Sequence, residues 1–342
     1  MDALQEIEVI WILFIQGLGD WLREPMRLFT LLGQEEFYML IMPVLYWSIN
    51  SVLGLRLAVM LLLSNATNAL LKVAIHGPRP YWIDTNVNAL VTETSFGAPS
   101  GHAQNAASIW GLLTAASRQT WNRVFFIALI VLIGFSRLYL GVHFLRDVLL
   151  GWAAGGLLLL AYLKAEPHII RYLKTRTLNQ MLGLSLLTSV LLALMVILPV
   201  TAASGMVIPE IWQTNALLAD AEVQINPLNI EGAFTLAGTW LGIMAGAAWL
   251  YHRQGGYNAS GTPAQKLLRY VIGVAGIFVL WYLVGNIFPR GEDAISYGLR
   301  YVRYTLVGLW ISAAAPLLFE RLKLSGIHSA QNAPLSTPEN TL

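Results

Sequence analysis

Apolar stretches of roughly 20 residues recur along this chain, each long enough to cross the hydrocarbon core of a bilayer as a helix. Hydrophobic residues make up 56% of the 342 positions and charged residues 12%, with a mean hydropathy of +0.59. A soluble domain carries about twice that share of charge. Backbone polar groups in lipid must be satisfied within the segment, which leaves helices for runs of this length. The expected fold is therefore all-α, a polytopic membrane bundle of about nine transmembrane helices. The spans fall near 36–52, 53–75, 103–118, 121–141, 145–163, 179–203, 231–251, 267–288 and 300–320, with a bend expected at Pro43. Residues 5–31 are apolar but broken by Asp20, Arg23, Glu24 and Arg27, and read as an N-terminal interfacial helix. Residues 325–342 are polar, contain Pro334 and Pro338, and read as a disordered tail. There are no cysteines, so disulfides and thiolate metal sites are excluded. Asp2, Glu6 and Glu8 without a basic cluster argue against a cleaved signal peptide.

Loop charges give an expected orientation. Arg118, Arg123, Lys164, Arg171, Lys174, Arg176, Arg253, Lys266, Arg269, Arg321 and Lys323 fall on one set of loops. The opposite set includes 204–230, which has Glu210, Asp220 and Glu222 and no Lys or Arg. The basic set faces the cytoplasm by the positive-inside rule, so the C-terminus is expected inside and the acidic loops outside or in a lumen. The segment 204–230 reads as a plain connection, with a cover over the outer face as the alternative. Net charge is +2, and nothing in its distribution suggests a nucleic-acid partner.

Ionisable groups are costly near a bilayer and mark functional sites there. On the outer side the chain carries Lys72, six residues, Arg79-Pro80; then Pro99-Ser100-Gly101-His102; then Ser136-Arg137, five residues, His143, three residues, Asp147. Lys72, Arg79 and Arg137 suit the non-bridging oxygens of a phosphate, the arginines through bidentate contact. Ser100 offers a hydroxyl, Gly101 lets backbone N–H groups approach closely, and the following helix presents its positive end to an anion. His143 and Asp147 are one helical turn apart. A carboxylate there fixes the imidazole tautomer and leaves the far nitrogen free to attack. His102 beside the Ser-Gly turn suits a general acid.

Each segment alone is common: Lys72 and Arg137 could snorkel from helix ends, and Asp147 could be a helix cap. All three in order within 76 residues, each at the outer end of a span, point to one phosphate-handling site. In this combination the chain resembles the type 2 phosphatidic acid phosphatase superfamily, which includes lipid phosphate, sphingosine-phosphate and prenyl-diphosphate phosphatases and glucose-6-phosphatase. Residues 72–80, 99–102 and 136–147 match its signature without a gap. The resemblance implies no metal or other cofactor and a phosphohistidine on His143. It assigns the acid to His102, the supporting carboxylate to Asp147, and phosphate binding to Lys72, Arg79, Ser100, Gly101 and Arg137. It implies a phosphatase core over 36–165, behind the N-terminal segment 1–35, and the expected spans beyond that core make 166–324 a C-terminal transmembrane extension. The expected partners are the bilayer and a phosphorylated lipid or prenyl substrate, with the oligomeric state left open.

A nine-span count and the run Arg79-Pro80-Tyr81-Trp82 also look like glucose-6-phosphatase, whereas Asp147 matches the lipid phosphatases. A phosphotransferase would use the same intermediate, and an anion or lipid transporter would need only the cations. His76 and Tyr81 are candidates for a supporting layer around the phosphate. Gly151-x3-Gly155 and Gly242-x3-Gly246 read as close helix contacts.

Overall fold

The computed structural model describes residues 3–289 and 291–325. Apart from Ser325, the tail expected to be disordered lies outside them. The described residues form helices and no strand. In chain order these are α1 (Ala3–Gln16), α2 (Arg23–Leu31), α3 (Glu35–Val44, continued by a π turn Leu45–Ile49), α4 (Ser51–Ile75) and the short α5 (Pro80–Ile83). Then come α6 (residues 101–116), α7 (Thr120–Tyr139), α8 (Leu145–Leu173), α9 (Leu178–Ala202) and α10 (Glu210–Ala219). The last three are α11 (Glu231–Gln254), α12 (Pro263–Ile287) and α13 (Ala294–Arg321).

Among the described residues, seven helices are long and apolar enough to cross a membrane: the one beginning at Ser51, then α7, α8, α9, α11, α12 and α13. This multi-pass architecture is as expected; the count of nine is not confirmed. The two remaining expected spans are shorter helices, the apolar stretch Phe37–Ile49 and α6. Pro43 sits inside α3 just before its π turn, where the missing N–H interrupts the regular ladder. Exposed Phe125, Val131, Leu157, Leu187, Leu191 and Phe278 turn apolar surface outward, as lipid contact requires.

Two packed groups build the bundle. In the first, α6 lies between α4, α7 and α8. Gly151 and Gly155 of α8 face the Ser100 and Gln104 carbonyl oxygens, where any Cβ would collide, so these glycines set the approach of α8 to α6. In the second, α11 packs against α9 and α13. There Gly242 and Gly246 meet Thr305 and Ser312 in the same way. The groups join where Trp47 of α3 donates to the Ile311 carbonyl at 2.9 Å and Tyr46 to the Ser312 carbonyl at 3.0 Å. Arg269 is fully buried at this junction, donating to the carbonyls of Trp47, Ala259 and Ser260 and to the Tyr257 hydroxyl. It is a structural staple rather than the free loop charge the sequence suggested.

The N-terminal segment is two helices joined by a turn at Asp20–Leu22, and it is anchored on the end of the first group where α7 ends and α8 begins. Glu8 pairs with Arg146 at 3.2 Å, and Gln16 donates to the carbonyls of Asn88 and Tyr139 at 2.7 and 3.0 Å. Segment 204–230 is also more than a connection. Its helix α10 packs on α5, where Asn215 donates to the Trp82 carbonyl at 2.9 Å and Trp212 stacks near Trp82. Val9, Ile12, Met26, Trp82, Phe96 and Val223 thus share one apolar core that roofs this end of the bundle.

Candidate active site

The three sequence segments converge under that roof. The end of α4 supplies Lys72, and the extended residue before α5 supplies Arg79. The turn before α6 supplies Ser100, the last turn of α7 supplies Arg137, and the α7–α8 connection supplies His143, with Asp147 in the first turn of α8. Arg79, Ser100, Arg137, His143 and Asp147 are each at most 1% exposed. Burial of this many ionisable side chains is tolerated only when they satisfy one another.

Arg79 is the hub. Its Nε donates to the Ser95 carbonyl at 2.7 Å, its Nη2 to Ser95 Oγ and the Phe96 carbonyl, each at 3.2 Å, and its Nη1 to the Val142 carbonyl at 3.1 Å. Nη1 also donates to His143 Nε2 at 3.3 Å. A guanidinium has no acceptor, so Nε2 must carry the lone pair, and in a neutral ring the proton then sits on Nδ1. Burial, reinforced by Arg79 and Arg137, lowers the His143 pKa well below the ordinary imidazole value and keeps the ring neutral. Nδ1 faces Asp147 Oδ2 at 3.5 Å, too long and poorly aligned to count as a hydrogen bond. The same oxygen accepts the Phe144 N–H at 2.9 Å. Asp147 is therefore a helix cap and a neighbour of the imidazole at once.

The Pro-Ser-Gly-His turn is fixed to this pair through its backbone: the Ser100 N–H donates to the Asp147 carbonyl at 2.9 Å. Ser100 also caps α6, accepting from the Ala103 N–H at 3.5 Å. Gly101 packs against Asn68, whose amide donates to the Pro99 carbonyl at 3.3 Å and to Gln104 at 2.9 Å. His102 follows at the start of α6. Its Nε2 is buried and has no hydrogen-bond partner among the described residues, and its ring packs against Gly33 in the turn before α3. It lies within electrostatic reach of His143 and Glu93. Lys72 donates to Ser95 Oγ at 3.1 Å and to the Phe96 carbonyl.

Of the two candidates for a supporting layer, His76 lies away from the cationic groups, whereas Tyr81 supports them through the Glu93 backbone. His76 closes α4 in a left-handed conformation, is exposed, and contacts the Phe96 ring rather than the cationic groups. Tyr81 is buried beneath the 84–100 loop, and its hydroxyl donates to the Glu93 carbonyl and accepts the Glu93 N–H, both at 3.0 Å.

Glu93 itself was not singled out from the sequence. Its Oε1 lies 2.5 Å from Arg137 Nη2 and its Oε2 3.7 Å from Arg79 Nη2. Burial raises its pKa, but Arg79 and Arg137 outweigh that and hold the carboxyl well below the usual carboxylate range. Thr30 of α2 also enters the site, its hydroxyl accepting from Arg137 Nη1 at 2.5 Å.

Comparison with known proteins agrees with this geometry. A family model described as the PAP2 superfamily matches residues 53–171, which hold all three segments. A second, described as PAP2 superfamily phosphatase, transmembrane extension, matches 234–327. Phosphatidylglycerophosphatase B of Bacillus subtilis (strain 168) is 32% identical over 166 residues, covering 44% of this chain and 79% of that protein. The chain belongs to the PAP2 superfamily of phosphatases. Other PAP2 relatives align over less of their own length. Sphingosine-1-phosphate phosphatase 2 of Mus musculus is 31% identical over 42% of this chain and 40% of that protein. Glucose-6-phosphatase 3 of Bos taurus is 27% identical over 42% of this chain and 49% of that protein. These alignments cover less than half of this chain and of those two relatives.

Proposed function

We propose that this PAP2 phosphatase hydrolyses a lipid phosphate or prenyl diphosphate without a metal, through a phosphohistidine on His143. The observation that carries the reading is the His143 ring with Arg79 Nη1 at 3.3 Å on its Nε2 side and the Asp147 carboxylate at 3.5 Å on its Nδ1 side. In the first step Arg79 Nη1 turns from Nε2 to a phosphate oxygen, the freed Nε2 lone pair attacks phosphorus as the ester P–O bond breaks, and His102, protonated when the substrate is bound, gives its proton to the leaving oxygen. Asp147 stabilises the positive charge that develops on the ring. Arg79, Arg137, Lys72 and the backbone around Ser100 and Gly101 neutralise the equatorial oxygens. In the second step water attacks phosphorus, His102 takes its proton, the N–P bond breaks, and phosphate leaves.

A lipid substrate is favoured because the site sits at the outer ends of α4, α6, α7 and α8. From there a head group enters while the tail stays in the bilayer. The alignment with phosphatidylglycerophosphatase B over 79% of its length supports the same class. The distribution of loop arginines and lysines supports an outward or lumenal site and a cytoplasmic C-terminus. The test is a phosphate-release screen of purified protein over phosphatidate, phosphatidylglycerophosphate, a sphingoid phosphate, prenyl diphosphates and glucose 6-phosphate, with vanadate as competitor. Release from the lipids, competitively inhibited by vanadate, is expected. Release from glucose 6-phosphate alone would move the chain to the sugar phosphatases, and phosphate transfer to an alcohol in preference to water would make it a phosphotransferase.

A further inference from the structure

Glu93 lies outside all three motifs, yet its carboxylate lies 2.5 Å from Arg137 and forms an ion pair with Arg79 at 3.7 Å. Carboxylate and phosphate compete for the same guanidinium donors. The arginine side chains are 1% exposed and that of Glu93 is 29% exposed, so the carboxylate closes the cationic cradle from its open side. The backbone on either side is tied down. Tyr81 holds both polar groups of Glu93 from below. Thr92 donates to Asp220 Oδ2 at 3.0 Å, and the Asn226 N–H donates to the Thr94 carbonyl at 3.0 Å. Segment 204–230 therefore straps down the residues before and after Glu93.

We propose that Glu93 sets the substrate specificity of this phosphatase. In the resting enzyme its carboxylate fills the phosphate seat between Arg79 and Arg137, strapped there by 204–230, until a terminal phosphate displaces it. The inference rests on the assignment of those arginines to phosphate binding made above. An incoming anion must break the Glu93 contacts, so its net gain is what it makes beyond a carboxylate. A terminal phosphate brings up to two charges and three non-bridging oxygens. A phosphodiester brings one charge and two oxygens, close to what the carboxylate already supplies. An enzyme embedded in a bilayer faces a large excess of diester head groups, and a resident carboxylate excludes them while admitting the rarer monoester or diphosphate.

The test uses the full chain in mixed micelles, with vanadate and phosphatidylglycerol as probes. Glu93→Gln keeps the shape and removes the charge. If the seat is filled about nine-tenths of the time, vanadate should bind about tenfold tighter to the variant. Phosphatidylglycerol, inert toward the wild type, should become a competitive inhibitor. Thr92→Val loosens the strap without touching the cradle. It should shift vanadate the same way by about threefold with kcat retained, and it carries the comparison if Glu93→Gln fails to fold. Weaker or unchanged vanadate binding in these variants would overturn the proposal, because Glu93 would then organise the arginines rather than compete for them. A wild type that vanadate does not inhibit at all would instead overturn the catalytic reading beneath it.

Discussion

Asp147→Asn separates two jobs that one carboxylate performs. Oδ2 accepts the Phe144 N–H at 2.9 Å, which caps α8, and lies 3.5 Å from His143 Nδ1. An asparagine keeps a carbonyl oxygen for the cap, so the helix loses little. It cannot stabilise a positive imidazole. The capping oxygen is the same atom that faces Nδ1, so an asparagine that keeps the cap leaves the ring tautomer in place and loses only the charge. Losing one charge-assisted hydrogen bond in the transition state costs about 1.5–3 kcal/mol, or about 10- to 150-fold in rate. The whole of that loss should appear in kcat. The Ser100 N–H bond goes to the backbone carbonyl of residue 147 and is unaffected. Single-turnover phosphoenzyme labelling measures the first step, and a thermal midpoint in the same detergent checks the cap. A variant labelling within threefold of wild type would show that Asp147 is only a cap.

The two histidines should separate by leaving group. His143→Ala should abolish turnover and labelling for every substrate, while His102→Ala should lose about 10²- to 10⁴-fold with an alkyl phosphate and much less with a nitrophenyl phosphate. Labelling of His143→Ala but not His102→Ala would exchange their roles. Full activity in excess chelator is expected, since protein cations face the phosphate, and a strict Mg²⁺ or Zn²⁺ requirement would refute that. Single cysteines report orientation in this cysteine-free chain: one in 204–230 should react with an impermeant reagent outside, one in 171–176 should not, and the reverse pattern would put the site in the cytoplasm. Gly151→Leu should drive α8 off the Ser100 carbonyl, costing about 1–3 kcal/mol in stability from overpacking. It should also lower kcat by disturbing the Ser100–Asp147 backbone bond; unchanged melting would show that α8 has slack there.

Helix identity was legible because lipid imposes a single backbone solution on long apolar runs, and runs such as 179–203 and 231–251 lie within a few residues of α9 and α11. Crossing number was less legible. Length and hydropathy are one-dimensional, and they do not decide how far the shorter helices α3 and α6 cross. The extent of α8 to Leu173 was missed for a related reason, since Lys164, Glu166 and Pro167 look like a span end. There Glu166 pairs with Arg56 at 2.7 Å and the helix continues past the apolar run.

The site divides along the same line. Arg79, Arg137, His143 and Asp147 were legible because an ionisable group at a membrane helix end demands explanation, and their spacing supplied one. Glu93, Ser95 and Gly33 were not, because each belongs to a connection where polar or small residues are ordinary, and neither was Thr30, one polar residue within α2. Their roles exist only after the chain folds: Thr30 reaches Arg137 from 107 positions away, and Ser95 gathers Lys72 and Arg79 from the opposite end of its loop. One signal in the sequence did point there. Three buried cations near a bilayer cannot stand without counter-charge. Asp147 already serves the Phe144 N–H and faces His143, so another carboxylate had to lie close to Arg79 and Arg137. Between Arg79 and Ser100 the sequence offers Asp84 and Glu93, and Asp84 turns instead to Asn86. Charge balance around the site, applied to the loop as strictly as to the motifs, would have narrowed the choice to Asp84 and Glu93, and the fold selects Glu93.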